Sequence, residues 1–244
     1  MTCLPSETKK KLGLVIDLDT CVGCHACAVH CKEWNASSPS APLTDKDPYG
    51  AKPDGVWFNR VHTFEAVPED GSIGKTVHFP KSCLHCDDAL CVTVCPTGAS
   101  YKREEDGIVL VDMDKCIGCK LCSWACAYGA REFDEDHGVM KKCTLCIDRI
   151  YNENLPEESR VPACVSTCPS GARHFGDLAD PNSKVSQLVK EREGFDLLPE
   201  LGYKPTNKYL PPKKTQCSAT KLEATVDAED PKGLLKWLDK ALSR

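Results

Sequence analysis

The chain has 244 residues, with 31 Lys and Arg against 36 Asp and Glu, a formal charge of −5, and 18 cysteines. Its length suits one or two compact domains, and its mildly acidic balance, with basic residues scattered rather than gathered into a stripe, excludes a nucleic-acid-binding role. Cysteine at this density is far above ordinary globular usage, and disulfide scaffolds this rich are usually much shorter.

The amino terminus, MTCLPSETKKKLGLVIDLDTC, has no apolar run of signal-peptide length and no twin arginine, so export on its own account is not expected and disulfides are a poor use for the thiols. The longest apolar runs, such as IVLV at 108–111, fall far short of the roughly eighteen residues a membrane span requires. Any attachment to a membrane is expected to run through another subunit.

In chain order, LGLVID reads as a strand leading into the first cysteine group, CVGCHACAVHC at 21–31. Residues 35–55 are rich in Pro, Gly, Ser and Asp and read as a loop, either a plain surface excursion or a partner contact, and VWFNRVHTFEA follows as a strand. TGASYKREEDGIVLVDMDK reads as a hairpin turning at Glu105-Asp106-Gly107, and GAREFDEDHGVMKKC as a second hairpin. DPNSKVSQLVKEREG at 180–194 is a predicted short helix with Asp180 as N-cap, Pro181 in the first turn and Gly194 as stop. KPTNKYLPPKKTQ has three prolines and no period, as expected of an extended arm on another subunit or of a disordered tail. In DPKGLLKWLDKALSR, Leu234, Leu235, Leu238, Ala241 and Leu242 share one helical face and Lys236, Lys240 and Arg244 another, which suits docking onto protein or onto lipid headgroups.

The cysteines repeat. Group one is Cys21, Cys24, Cys27 and Cys31; group two is Cys83, Cys86, Cys91 and Cys95; group three is Cys116, Cys119, Cys122 and Cys126. Group four is split by the 17 residues IDRIYNENLPEESRVPA into Cys143 and Cys146, then Cys164 and Cys168. Sixteen of the eighteen cysteines are thereby used, every group ends in C-x3-C, and three continue alike as CPTGA, CAYGA and CPSGA.

Cys21, Cys24 and His25 also spell C-x-x-C-H, the attachment signature of a c-type haem. A haem leaves Cys27 and Cys31 idle and the other three groups unexplained, so the match reads as an accident of spacing, and His25 as a neighbour of the site or a solvent-facing helix residue. Zinc is the stronger rival, because four-cysteine zinc sites also use C-x2-C pairs, normally two cysteines from each of two knuckles. C-x2-C-x2-C instead brings three sulfurs from seven residues to one centre, which suits a cubane with a separate iron for each thiolate.

In two-cluster ferredoxins the fourth cysteine of each motif ligates the other cluster. Groups two and three then form one module at 75–135, and groups one and four an outer, interrupted one at 10–34 plus 140–180, with an insertion at 35–74 and C-terminal helices and arm at 181–244. The expected fold is α+β, two bacterial ferredoxin-like modules with one nested in the other. The expected [4Fe-4S] ligand sets are Cys21, Cys24, Cys27 and Cys168 (first); Cys143, Cys146, Cys164 and Cys31 (second); Cys83, Cys86, Cys91 and Cys126 (third); and Cys116, Cys119, Cys122 and Cys95 (fourth). Four closed sites leave no iron open to substrate, so the chain reads as a conductor of electrons with no catalytic residue of its own.

The four-group pattern, the C-P-x-G-A tails and CKEWN after group one resemble the iron–sulfur subunits of the dimethyl sulfoxide and polysulfide reductase family over roughly residues 10–200. FPKSCLHC, SYKREEDGIVLVD, KCIGCKLCSWAC and VMKKCTLCIDRIY are most similar to the iron–sulfur subunit of membrane-bound, quinone-linked sulfite dehydrogenase. The resemblance implies a catalytic partner holding molybdenum in a bis-pterin guanine dinucleotide cofactor and a membrane anchor that handles quinone. It also implies electron flow from sulfite, the first cluster facing the catalytic subunit, the fourth facing the anchor, and a place at the cytoplasmic face of the inner membrane, or in the periplasm if exported with a partner. Relatives in nitrate reductase carry a tryptophan at the position of Cys119, leaving a three-iron cluster; cysteine here implies the four-iron form. The alternatives are the same wire in a polysulfide, tetrathionate or dimethyl sulfoxide reductase, a stand-alone polyferredoxin, and a zinc-stabilised scaffold. Cys3 and Cys217 belong to no group, and Lys81, Lys102, Lys115, Lys120, Lys142 and Arg149 are candidates to offset cluster charge.

Overall fold

A computed structural model describes residues 2–36, 55–66 and 75–213. The described residues up to Pro212 belong to one compact unit. The helix expected at 230–244, Cys217 and most of the loop expected at 35–55 lie outside the described residues.

Strand β1 (Leu12–Asp17) is buried from Gly13 onward because both its edges and both its faces are covered. Leu14 and Ile16 join the main core, while Val15 faces Val185 and Leu210 in a smaller one. The strand ends in an Asx turn, Asp17 Oδ1 accepting from the Asp19 amide, that delivers Cys21. Asp112 and the Asp114 amide repeat the turn before Cys116, so IDLDTC and VDMDKC are structural as well as sequence repeats.

Helix α1 (Ala26–Asn35) carries Cys27 and Cys31 four residues apart on its buried face. Strands β2 (Asn59–Ala66) and β3 (Lys75–Ser82) pair antiparallel, and the one-turn helix α2 (Leu90–Thr93) then carries Cys91. The first predicted hairpin is β4 (Ser100–Lys102) with β5 (Val109–Val111), its turn closed by Asp106 Oδ1 accepting from the Ile108 amide and by Gly107 at φ +73°. Helix α3 (Leu121–Trp124) holds Cys122, and β6 (Glu132–Asp134) with β7 (Val139–Lys141) is the second predicted hairpin. The insertion of group four begins with α4 (Ile147–Ile150) and ends at α5 (Ala163–Ser166), which holds Cys164. Strand β8 (Arg173–Asp177) then returns antiparallel to β1, with groups two and three between them in sequence.

Two expectations are corrected. The helix α6 (Lys184–Glu191) starts later than Asp180, because the Ser183 hydroxyl accepts from the Ser186 amide and caps it. Asp180 instead closes an Asx turn onto the Asn182 amide. Nor is the proline-rich segment after Gly202 an arm lying elsewhere up to Pro212. Lys208–Leu210 form β9, parallel to β1, and Asn207, fully buried, accepts from the Leu14 amide and donates to the Cys83 carbonyl. A segment without hydrophobic period folds here because its polar side chains satisfy the edge of β1.

Candidate metal centre: four cysteine quartets

All four C-x2-C pairs share one backbone device. The third position is left-handed in each: Gly23 at φ +66°, His85 at +49°, Gly118 at +66° and Leu145 at +53°. This conformation folds the loop that carries both cysteines of the pair, and at Gly118 it calls for glycine, because an added Cβ would lie 2.3 Å from the Gly138 carbonyl oxygen. In each group the third cysteine sits on a helix: Cys27 on α1, Cys91 on α2, Cys122 on α3 and Cys164 on α5.

The folded chain brings three cysteines of each group together with one from another. Cys21, Cys24 and Cys27 line one small cavity with Cys168, and Cys116, Cys119 and Cys122 line another with Cys95. Burial and then the neighbouring thiols of Cys143, Cys164 and Cys146 push the Cys31 thiol well above its ordinary pKa. Burial and then Cys83, Cys91 and Cys126 do the same to Cys86. In each of these groupings the last cysteine of one group lies with three cysteines of another.

The quartets adjoin one another in order. Cys27 of the first and Cys31 of the second lie one turn apart on α1, and burial followed by neighbouring thiols raises Cys143 of the second, through Cys83 of the third, while Cys91 of the third adds to the rise at Cys122 of the fourth. Only the end members contain an exposed thiol, Cys24 in the first and Cys119 in the fourth.

Their chemistry fits a polynuclear anionic group better than one metal ion. Among the described residues no three His, Cys, Asp or Glu side chains are grouped to hold a single ion, whereas a zinc ion needs its sulfurs about 2.3 Å away. Backbone and amide donors point at the sulfurs: Ser100 N to Cys95 at 3.3 Å, Met140 N to Cys116 at 3.3 Å, Ala163 N to Cys146 at 3.4 Å and Asn59 Nδ2 to Cys27 at 3.1 Å. Such donors stabilise thiolate over thiol. At Cys95 the donors led by Ser100 win against burial and hold the pKa below its ordinary value, whereas burial leads at Cys164 and raises it to about 11.

Three buried cations accompany them: Arg173, Lys142 and Arg131, at 4%, 2% and 5% exposure. Among the described residues none has a carboxylate at ion-pair distance, unlike Arg60 with Glu132 at 2.7 Å. Burying an unpaired charge costs several kcal/mol, so a compensating anion is required. The Nε and Nη1 atoms of both arginines also lack an acceptor among the described residues. A thiolate-ligated iron–sulfur cluster satisfies both needs, with net negative charge and bridging sulfides as acceptors.

Two family profiles, each described as a 4Fe-4S dicluster domain, match residues 75–178 and 20–99. The chain is 60% identical to a sulfite dehydrogenase subunit of Allochromatium vinosum over 206 residues, which cover 84% of this chain and 85% of that one. It belongs to the family of iron–sulfur electron-transfer subunits of molybdoenzyme-type reductases and dehydrogenases. The iron–sulfur subunit is also 37% identical to a putative dimethyl sulfoxide reductase iron–sulfur subunit of Halobacterium salinarum, over 81% of its own length and 78% of the relative's. With a tetrathionate reductase subunit of Salmonella typhimurium it shares 34% identity over 83% and 73%.

Of the basic residues singled out from the sequence, only Lys142 is buried among the thiols without a carboxylate. Lys102 pairs with Asp87, Lys115 with Asp112, Lys120 lies over the Phe133 ring and Arg149 over that of Trp34, while Lys81 is attracted to Cys126. Arg131, Arg173 and Asn59 were not expected from the sequence. The signal was present for the arginines, since each directly follows a C-x2-G-A tail, CAYGAR and CPSGAR, where group two has CPTGAS. Ser100 at that third place accepts from Arg131 at 2.8 Å. His25 lines the first quartet's cavity with positive φ, at the start of α1.

Among the described residues no helix is long and apolar enough to cross a membrane.

Proposed function

We propose that this chain holds four [4Fe-4S] clusters on its sixteen grouped cysteines, as two ferredoxin-like modules nested one in the other. In this reading it relays electrons from a molybdenum-containing catalytic subunit to a quinone-reactive membrane anchor during oxidation of sulfite to sulfate. The observation that carries the reading is the succession of four adjoining quartets with an exposed thiol only in its two end members. When bound, each cluster takes up and releases one electron.

The chain's own residues do the rest. Cys21, Cys24, Cys27 and Cys168 hold the first cluster, Cys143, Cys146, Cys164 and Cys31 the second, Cys83, Cys86, Cys91 and Cys126 the third, and Cys116, Cys119, Cys122 and Cys95 the fourth. Amides of Ser100, Met140, Ala163, Leu145 and Asn59 orient the sulfurs, and the packed core around Leu14, Ile16, Ile108 and Leu145 keeps water from the inner two. Removing water lowers the cost of moving charge, because little solvent has to reorganise.

Sulfite is favoured as donor by 60% identity to a sulfite dehydrogenase subunit, against 34–37% to reductase subunits. The membrane anchor, the quinone and a place at the cytoplasmic face of the inner membrane rest on the family resemblance. The test is sulfite-dependent reduction of a quinone analogue by membranes from cells with and without this chain. Loss of that activity in its absence, restored by the intact chain, supports the reading; tetrathionate or dimethyl sulfoxide reduction lost instead would assign it to a reductase.

A further inference from the structure

We propose that Arg173, Lys142 and Arg131 are intercluster cations that set the reduction potentials of adjacent centres in pairs: Arg173 the first and second, Lys142 the second and third, Arg131 the third and fourth. The inference rests on the four-cluster reading above.

Each cation adjoins a different pair of neighbouring quartets. Arg131 donates from Nη2 to Cys91 Sγ of the third quartet at 2.9 Å, and it lines the cavity of the fourth. It also reaches the fourth through Ser100, whose hydroxyl accepts from it at 2.8 Å and whose amide donates to Cys95 Sγ at 3.3 Å. Arg173 lines the cavity of the first quartet and donates to Asn59 Oδ1 at 2.7 Å, while Asn59 donates to Cys27. The Arg173 charge also acts on Cys164 of the second quartet, pulling that thiol's pKa down against the burial that raises it. Lys142 donates to the carbonyl of Cys143, in the second quartet, at 2.7 Å and to the Val109 carbonyl, and the Val109 amide in turn donates at 3.1 Å to Nδ1 of His85, which lies between Cys83 and Cys86 of the third.

A fixed positive charge in a dry interior acts over longer distances than one at the surface. Reduction adds one negative charge to a centre, so each cation stabilises the reduced form of both centres it adjoins and leaves the remote pair almost untouched. Neither arginine titrates in the accessible pH range, which makes the bias permanent. Three cations among four centres hold every neighbouring pair under one shared charge, so adjacent potentials move together and no single hop becomes steeply uphill.

The test is an EPR-monitored redox titration of the anaerobically purified complex carrying Arg131→Gln or Arg131→Lys, with the fourth centre's signal identified by its change in Cys119→Trp. Arg131→Gln is expected to lower the reduction equilibrium constant of the third and fourth centres at least tenfold each, about 59 mV for a one-electron couple. The first and second stay in place, and Arg131→Lys recovers most of the shift. Unmoved potentials, an equal shift in all four, or a Lys variant as displaced as the Gln variant would overturn the proposal. Should Arg131→Gln lose iron, the unsubstituted complex labelled with ¹⁵N-arginine decides instead. A ¹⁵N coupling on both the third and fourth signals supports the shared cation, and its absence from either contradicts it. Iron near sixteen per unsubstituted chain with unmoved potentials would fail this inference alone, whereas a count well below sixteen would fail the four-cluster reading and this inference with it.

Discussion

Asn59 donates its side-chain amide to the sulfur of Cys27 at 3.1 Å, and both residues are buried. The carbonyl of the same side chain accepts from Arg173 at 2.7 Å, so one β2 residue joins a proposed ligand to the cation beside it. Hydrogen bonds to charged groups contribute roughly 1.5–3 kcal/mol. Asn59→Leu, similar in volume but unable to donate, is expected to lower the potential of the first centre alone by at least tenfold in its reduction constant, about 59 mV. A redox titration that finds the first centre unmoved contradicts this assignment.

Cys119 is exposed and lies in the C-x-G-C pair of the fourth quartet. Cys119→Trp removes one ligand while leaving three, so the fourth site is expected to hold a three-iron cluster with about one iron lost per chain. Oxidised samples should then show a new paramagnetic signal absent from the unsubstituted complex. Retention of every iron with no new signal would mean that Cys119 is not a ligand.

Gly118 and Gly129 both have positive φ, at +66° and +60°, but a Cβ at Gly118 meets the Gly138 carbonyl oxygen at 2.3 Å while one at Gly129 meets nothing within 4 Å. Gly129→Ala is expected to cost only the left-handed conformation, about 1–2 kcal/mol. Gly118→Ala must also displace the turn at the end of the second hairpin, and its loss in thermal stability should be clearly larger. Equal melting temperatures for the two variants would disprove the close approach.

Tyr151 donates to Asp106 at 2.9 Å, and burial, followed by that carboxylate, raises its pKa from 10 to about 12. A group whose pKa is raised in the folded state contributes stability below its unfolded value and loses it as pH climbs through the folded one. Tyr151→Phe is therefore expected to be less stable than the unsubstituted chain up to about pH 10, with the gap changing only between pH 10 and 12. Because half of Tyr151 is exposed, solvent screening keeps the effect to about 1 kcal/mol or less. Chemical denaturation at pH 8, 10 and 12 reads it; a gap that opens on acidification instead would refute the linkage.

The sequence exposed the grouping of its cysteines because a C-x2-C pair with a third and fourth cysteine at fixed offsets is a local pattern, and repetition made it unmistakable. The hairpins at 100–111 and 132–141 were equally legible, each turn marked by Asp and Gly. Asn207 and β9 were not, because what orders them is pairing with β1 across nearly the whole chain, and no periodicity near residue 207 reports on a partner at residue 14. Arg131 and Arg173 escaped for a related reason. Arginine is ordinarily a surface residue, and its burial becomes sensible only once quartets from distant groups surround it. Ser183 was missed as a cap because Asp180 and Pro181 offered the same local signature three residues earlier.

Counting metal decides whether one chain carries four four-iron centres. Iron, acid-labile sulfide and zinc should be measured per chain in complex purified anaerobically from detergent-solubilised membranes, after dissociating the other subunits. About sixteen irons with about as many sulfides, and no stoichiometric zinc, is the expected result. About eight irons would leave two quartets without the proposed clusters, and about four zinc ions in place of iron would contradict the iron–sulfur reading altogether.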